Sequence, residues 1–151
     1  MRAIKIIVLL LVLSAVGIII WQRSTRRFNT TTTFFIDEET GDESIRSTHD
    51  VPPLLGKSNQ PTVVQVFKFT CDGGKTVKTA YYSKYTDGMK RQLEAVYQAN
   101  KTPDFDTTQG MLIRSPGKGS PWVHWGTPEA TKVLNALSCP EGGDIETVFP
   151  P

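Results

Sequence analysis

The sequence predicts an α+β domain: an antiparallel sheet of about four to six strands with two helices, preceded by one N-terminal transmembrane helix. Three observations lead there. A long apolar run opens the chain. Short β-branched and aromatic stretches, punctuated by Gly, Pro, Asn and Asp, fill most of the remainder. Two segments, each opened by a threonine, repeat their apolar residues at helical spacing. With 151 residues there is room for one ordinary domain and an appendage. A hydrophobic content of 38%, with 12 glycines and 10 prolines, suits a packed domain, not a disordered chain.

The first segment, residues 1–27, reads MRAIKIIVLLLVLSAVGIIIWQRSTRR. From Ile4 to Trp21 only Lys5, Ser14 and Gly17 interrupt the apolar run. As a helix this stretch would span about 27 Å, close to a hydrocarbon core of roughly 30 Å. Lys5 can snorkel at one end, and Trp21 stands where an interfacial aromatic is favoured. A cleaved signal peptide could use the small residues Ala15 and Gly17. Cleavage there would leave Ile18-Ile19-Ile20-Trp21 as an exposed apolar terminus, so an uncleaved anchor in the lipid bilayer is the stronger expectation. No cysteine follows the run, which excludes a lipoprotein anchor. Arg2 and Lys5 flank one side, Arg23, Arg26 and Arg27 the other. Counting the amino terminus, the positive-inside rule is tied.

Charge is divided along the chain. Residues 1–27 hold five bases and no acid; residues 28–151 hold 12 bases against 15 acids, a net of −3. The soluble part is therefore no nucleic-acid binder.

Residues 28–33 form a polar tether, and the domain occupies 34–151. Thr33–Ile36 and Ser44–Ser47, around a Thr40-Gly41 turn, predict a hairpin. The Val51-Pro52-Pro53 to Pro61 stretch cannot be regular structure, because proline lacks a donor and restricts its predecessor. It reads as an extended connector pinned by Leu54 and Leu55. Residues 62–70 are apolar on both faces, as a central strand requires. Residues 76–83 make the second strand of a hairpin. Thr86 then caps a helix with Met89, Leu93, Val96 and Tyr97 on its buried stripe, stopped by Asn100 and Pro103. Residues 110–114 and 122–125 are short strands. Thr127-Pro128-Glu129 opens a second helix, with Thr as cap and Pro at the first helical position. The tail 145–149 is placed at a sheet edge.

Candidate chemistry is sparse. Phe67–Val77, FKFTCDGGKTV, carries a GKT triplet like a phosphate loop. The Walker pattern needs glycine where Phe69 stands and a helix after the threonine, and a β-prone run follows instead. Asp72-Gly73 between two strands is a hairpin turn. The acidic group Asp37, Glu38, Glu39, Asp42 and Glu43 lacks the alternating spacing of a calcium loop and reads as a solvated turn. His124 has no metal-ligand spacing to another residue, and no nucleophile signature accompanies it. Trp122, His124 and Trp125 are packing residues or, alternatively, an aromatic interaction surface. Residues 57–101 carry eight bases and three acids. Lys68 and Lys78 are expected to share one face of the hairpin. No cofactor or metal is implied.

Cys71 and Cys139 are the only cysteines. One ends a strand and the other follows a helix, so a disulfide between them is expected in an extracytoplasmic domain. The alternative is two thiols in a cytoplasmic one.

The order of features resembles small, uncharacterised, single-pass membrane-anchored proteins of planctomycete-type bacteria. The resemblance rests on Phe34-Phe35-Ile36-Asp37 with Thr40-Gly41, Val51-Pro52-Pro53, the strand ending in Cys71, Tyr81-Tyr82-Ser83-Lys84-Tyr85-Thr86, Pro121-Trp122-Val123, and Cys139-Pro140-Glu141-Gly142. It covers most of residues 34–149, although such proteins often have further cysteines. It implies a membrane anchor and a compact domain, and supplies no catalytic residue. The expected function is a non-enzymatic one: an extracytoplasmic interaction domain, an accessory subunit with a protein partner in a membrane or envelope assembly. The alternative is a cell-envelope enzyme or glycan-binding domain centred on Trp122, His124 and Trp125.

Overall fold

The computed structural model describes residues 31–151 apart from positions 118 and 141. The expected anchor (1–27) and the first part of the tether lie outside these residues. Among the described residues no helix is long and apolar enough to cross a membrane.

The order of elements is β1 (Thr32–Asp37), β2 (Glu43–Ser47), β3 (Val63–Thr70), β4 (Val77–Tyr85), α1 (Asp87–Gln98), a 3-10 turn (Thr107–Gly110), β5 (Met111–Arg114), β6 (Val123–His124), α2 (Pro128–Asn135) and β7 (Glu146–Val148). The strands form one sheet in the order β2-β1-β3-β4-β5-β6, and every pairing is antiparallel. β7 takes the half of the β3 edge that β1 leaves free, opposite Lys68–Thr70. The α+β class, the antiparallel sheet and the two helices match the expectation. The sheet has seven strands, not four to six, because even the two-residue β6 and the tail β7 join it.

Side chains alternate between the faces of a strand, and residues paired across strands share a face. Phe35, Val63, Phe69, Ser83 and Ile113 therefore point to one side. Both helices lie there. Leu93 of α1 and Ile113 are 0% exposed and Ala130 of α2 is 1% exposed, which marks this layer as the core. Val133 and Leu137 line a crevice with Phe69 and Ala80. The phenol of Tyr85, on the same face, has its pKa raised by burial and, less, by Tyr97 of α1. Gly110 permits the close approach of the 3-10 turn to α1, since a Cβ there would stand 2.3 Å from Met89 Cβ.

Both helix starts follow local chemistry. At α2 the Thr127 hydroxyl accepts from Ala130 N at 3.3 Å. At α1 Thr86 has the extended cap conformation without a side-chain bond, and its own N–H donates to Gly110 O. The connector threads beside the core: Val51 is buried, Leu54 bridges Val63, and the Lys90 ammonium reaches Pro53 O. Leu55, expected as a second pin, is instead 61% exposed, because it points away from the bridge its neighbour makes.

The central hairpin also differs in detail. The last pair is Thr70 with Val77, so the loop is Cys71–Thr76 and not a two-residue turn at Asp72-Gly73. Positive φ falls on Gly73 and Gly74, at 67° and 94°. Asp72 serves as an acceptor for Thr76 N at 2.9 Å and Thr70 Oγ1 at 2.7 Å. A bulge in β4 at Ala80 puts Lys68 opposite Thr79 and Lys78 opposite Phe69. The two lysines thus stand on opposite faces, contrary to the sequence expectation.

Candidate functional site

The second face of the sheet has no helix over it among the described residues. It is built from Phe34 and Ile36 of β1, Ile45 of β2, Val64, Val66 and Lys68 of β3, Tyr82 and Lys84 of β4, and Leu112 and Arg114 of β5. Val64 and Val66 are buried at strand centre, with Phe34, Ile36 and Tyr82 on the flanking strands at the same level. The larger side chains around them remain only half-buried.

Cations and rings interleave across this face. Tyr82 and Arg114 are direct cross-strand partners. The Arg114 guanidinium lies 5.3 Å from the Tyr82 ring centroid and 5.0 Å from that of Trp122. The Lys84 ammonium sits 4.4 Å from the Trp122 centroid. Lys68 lies 4.6 Å from the Phe34 centroid and pairs with Glu43 at 2.5 Å. Each contact is of the kind in which a ring quadrupole attracts a cation.

Three acids of the β1–β2 turn are tied to three separate cations. Glu38 pairs with Arg114, Asp42 with Lys57, and Glu43 with Lys68. The Lys57 partnership, first through hydrogen bonding, also holds the Asp42 carboxyl below its ordinary value. Asp37 is turned inward; its pKa is lowered first by the Thr62 hydroxyl, and it accepts from Glu39 N at 3.1 Å. The acidic cluster is thus dispersed over neighbouring partners.

Arg114 is the centre of the arrangement. Its side chain is 17% exposed, its terminal nitrogen holds Glu38, and its Nε is buried without a partner. Beside it lies a depression of about 210 Å³ lined by Ile36, Glu38, Gly41, Tyr82, Arg114 and Gly117. Such a surface can dock a group by stacking and charge-assisted hydrogen bonding.

Of the three expected interaction residues, the structure brings Trp122 to the strip and leaves His124 and Trp125 apart from its charged centre. Trp122 is half-buried between Lys84 and Arg114. His124 is exposed on β6 opposite Leu112, and no hydrogen bond or ion pair joins its side chain to an acid among the described residues. Asp106 instead caps its own 3-10 turn, accepting from Thr108 N at 2.9 Å. Trp125 is half-buried, and its backbone N–H donates to Met111 O. Among the described residues no group of three His, Cys, Asp or Glu could hold a metal ion.

Tyr82, Lys84 and Arg114 were not singled out as a site from the sequence. The usable signal was Arg114 at the end of a short strand two elements away from a Tyr-Tyr pair. Only the β4–β5 register makes them neighbours.

Cys71 and Cys139 are bonded, with an S–S distance of 2.01 Å and a Cα–Cα distance of 5.7 Å. The bridge ties the end of β3 to the segment after α2. Gly143 packs against it so closely that a Cβ there would lie 2.5 Å from Cys71 O. The expected membrane-interface residues Arg2, Lys5, Trp21, Arg23, Arg26 and Arg27 lie outside the described residues.

Comparison with protein-family models, with curated proteins and with solved structures returns no match to this chain.

Proposed function

We propose that this chain is a single-pass membrane protein whose α+β domain works outside the cytoplasm as a protein-interaction module of a membrane or envelope assembly. The observation that carries this reading is the sheet face left without a helix among the described residues, with its Tyr82–Arg114–Trp122–Lys84 strip. Trp, Tyr and Arg are the side chains that concentrate binding energy at protein interfaces, because they combine large contact area with directional polar groups. The Cys71–Cys139 bridge supports an oxidising compartment. The apolar run Ile4–Trp21 supports the anchor. The resemblance to membrane-anchored proteins of planctomycete-type bacteria points the same way.

The alternative, an envelope enzyme or glycan-binding surface at Trp122, His124 and Trp125, draws less support. Among the described residues the His124 side chain has no acidic partner, and the Trp122 ring already holds two cations.

Site-specific photo-cross-linking in intact cells tests the proposal. A photoreactive residue at position 122 is expected to capture one protein partner, whereas one at Gln92, exposed on α1, captures none. Equal capture at both positions, or none at 122, would refute the interaction reading. Protease protection of the tagged C-terminus tests the compartment: digestion in intact spheroplasts is expected, and full protection would place the domain inside.

A further inference from the structure

The two ends of the β2-β1-β3-β4-β5-β6 path are unlike. β6 contributes two residues and is followed by Gly126 at φ 79° and Pro128, so it offers little to pair with. β2 offers five residues with no proline and no register break against β1. Its free backbone groups follow from the ladder. Asp37 N donates to Asp42 O, and Thr48 N donates to Thr31 O. Bonded pairs recur every second residue in an antiparallel ladder, so Phe35 with Ser44 and Thr33 with Arg46 are the bonded pairs between these ends. Glu43, Ile45 and Ser47 therefore turn their backbone groups outward. Ser47 O accepts from Asp50 N, while the other outward groups have no partner among the described residues. Of the devices that blunt natural edges, β2 has neither proline nor bulge, and its charges are Glu43 and Arg46.

The side chains of the edge are self-complementary. Ile45 is 51% exposed beside a depression of about 360 Å³ lined by Phe34, Glu43, Ser44 and Ile45. From these observations we infer that the β2 edge pairs antiparallel with the β2 edge of a second copy of this chain, joining two sheets into one across a two-fold axis at Ile45. In that register Ile45 faces Ile45 of the second copy, Ser44 faces its Arg46, and Glu43 faces its Ser47. Each outward N–H then meets an outward C=O, the Ser47 carbonyl accepting a second bond beside that from Asp50 N. Sliding by two residues one way opposes Arg46 to Arg46; sliding by two the other way puts Glu43 against Ile45. Both are worse, so the sequence selects the symmetric register. A five-residue edge buries less than the roughly 1,000 Å² of a stable free interface. The pairing is therefore weak in dilute solution and strengthened wherever copies are concentrated.

Cysteine cross-linking of the full chain in lipid vesicles tests this. A bonded antiparallel pair holds its Cα atoms about 5.5 Å apart, within disulfide reach. Ile45→Cys is expected to form a covalent dimer at least tenfold more than Glu43→Cys or Ser47→Cys alone. Glu43→Cys mixed with Ser47→Cys is expected to cross-link as the heterologous pair. No cross-link at 45, or equal yields at all three positions, overturns the proposal. Ile45→Pro supplies the second measurement, because it removes an N–H that points away from β1. It is expected to abolish co-capture of two differently tagged copies while leaving the near-UV circular dichroism unchanged. Co-capture that survives Ile45→Pro in the folded protein overturns the proposal as well. Neither readout depends on Trp122, so the result stands apart from that of the partner test.

Discussion

The two faces of this sheet are held by different physics. On the covered face, Phe35, Phe69 and Ile113 lie on the side of the two helices and, with Leu93 and Ala130, are almost wholly removed from water. On the open face, Val64 and Val66 are buried at strand centre, while Phe34, Tyr82 and Trp122 stay half-exposed with Lys68, Lys84 and Arg114 laid over them. Burial on the first face stabilises in proportion to area and cavity, whereas ring–cation contacts at a wet surface contribute little apiece. On the proposed reading, stability and recognition fall on opposite sides of one sheet, and a substitution on one side should leave the other side's property intact.

The bridge gives the largest expected effect. Cys71 and Cys139 are separated by 68 residues. Closing such a loop restricts the unfolded chain by about 4 kcal/mol in the chain-entropy description. The double variant Cys71→Ser, Cys139→Ser should lower the melting temperature steeply while the open-face partner is still bound below the new transition. Equal melting of variant and wild type would show that the bridge carries no part of the stability.

Next comes the covered face. Ile113→Ala should cost about 3 kcal/mol, since the deleted atoms leave a cavity between β5 and the helices. Chemical denaturation is the measurement, with the midpoint falling and the slope unchanged. The mirror experiment is Trp122→Ala on the open face. It should shift stability by only about 1 kcal/mol yet abolish co-purification of the proposed partner. If Trp122→Ala instead unfolded the domain, the division between the faces would fail.

Glycine gives a sharper test of the covered side. Gly110→Ala would place its Cβ 2.3 Å from that of Met89. Backbone must move, and about 1–3 kcal/mol of destabilisation is expected. Gly41→Ala is the control: no atom lies within 4 Å of its added Cβ, and only the positive φ of 78° resists it.

Much of the covered face was legible in the sequence. The apolar spacing of Met89, Leu93 and Val96, the Thr127-Pro128 start and the two-sided 62–70 strand each express a local rule, so each element emerged near its observed bounds. The open face was not legible, because its contacts depend on register. Tyr82 meets Arg114 only through β4–β5 pairing, and one extra residue at Ala80 was enough to separate Lys68 from Lys78. Trp122 stands out in the sequence as a candidate, but the cations against its ring lie on two other strands. Leu55 shows the opposite error, since an apolar residue in a connector has no periodicity to say which way it turns. The GKT triplet was resolved by absence of a following helix, yet the turn within it is longer than Asp72-Gly73 suggested.

That turn supplies the smallest effect, and one that acts on the joint between β3 and β4, away from both faces' packing. The Asp72 carboxylate is held at about 2, first by the backbone N–H of Thr76 and then by the Thr70 hydroxyl, against an ordinary value of 3.8. A depressed folded value means the stabilisation is complete above the ordinary value and disappears as pH falls through the folded one. The loss therefore falls between about pH 4 and pH 2. Asp37, Asp42 and Asp106 are lowered too, so the wild-type acid transition is shared among several carboxylates. Asp72→Asn should remove only its own part: slightly lower stability at pH 7, and a shallower decline on acidification. Paired urea titrations at pH 7 and pH 3 would measure it. An unchanged pH slope in the variant would mean the loop contributes nothing to acid sensitivity, leaving that property to Asp37, Asp42 and Asp106.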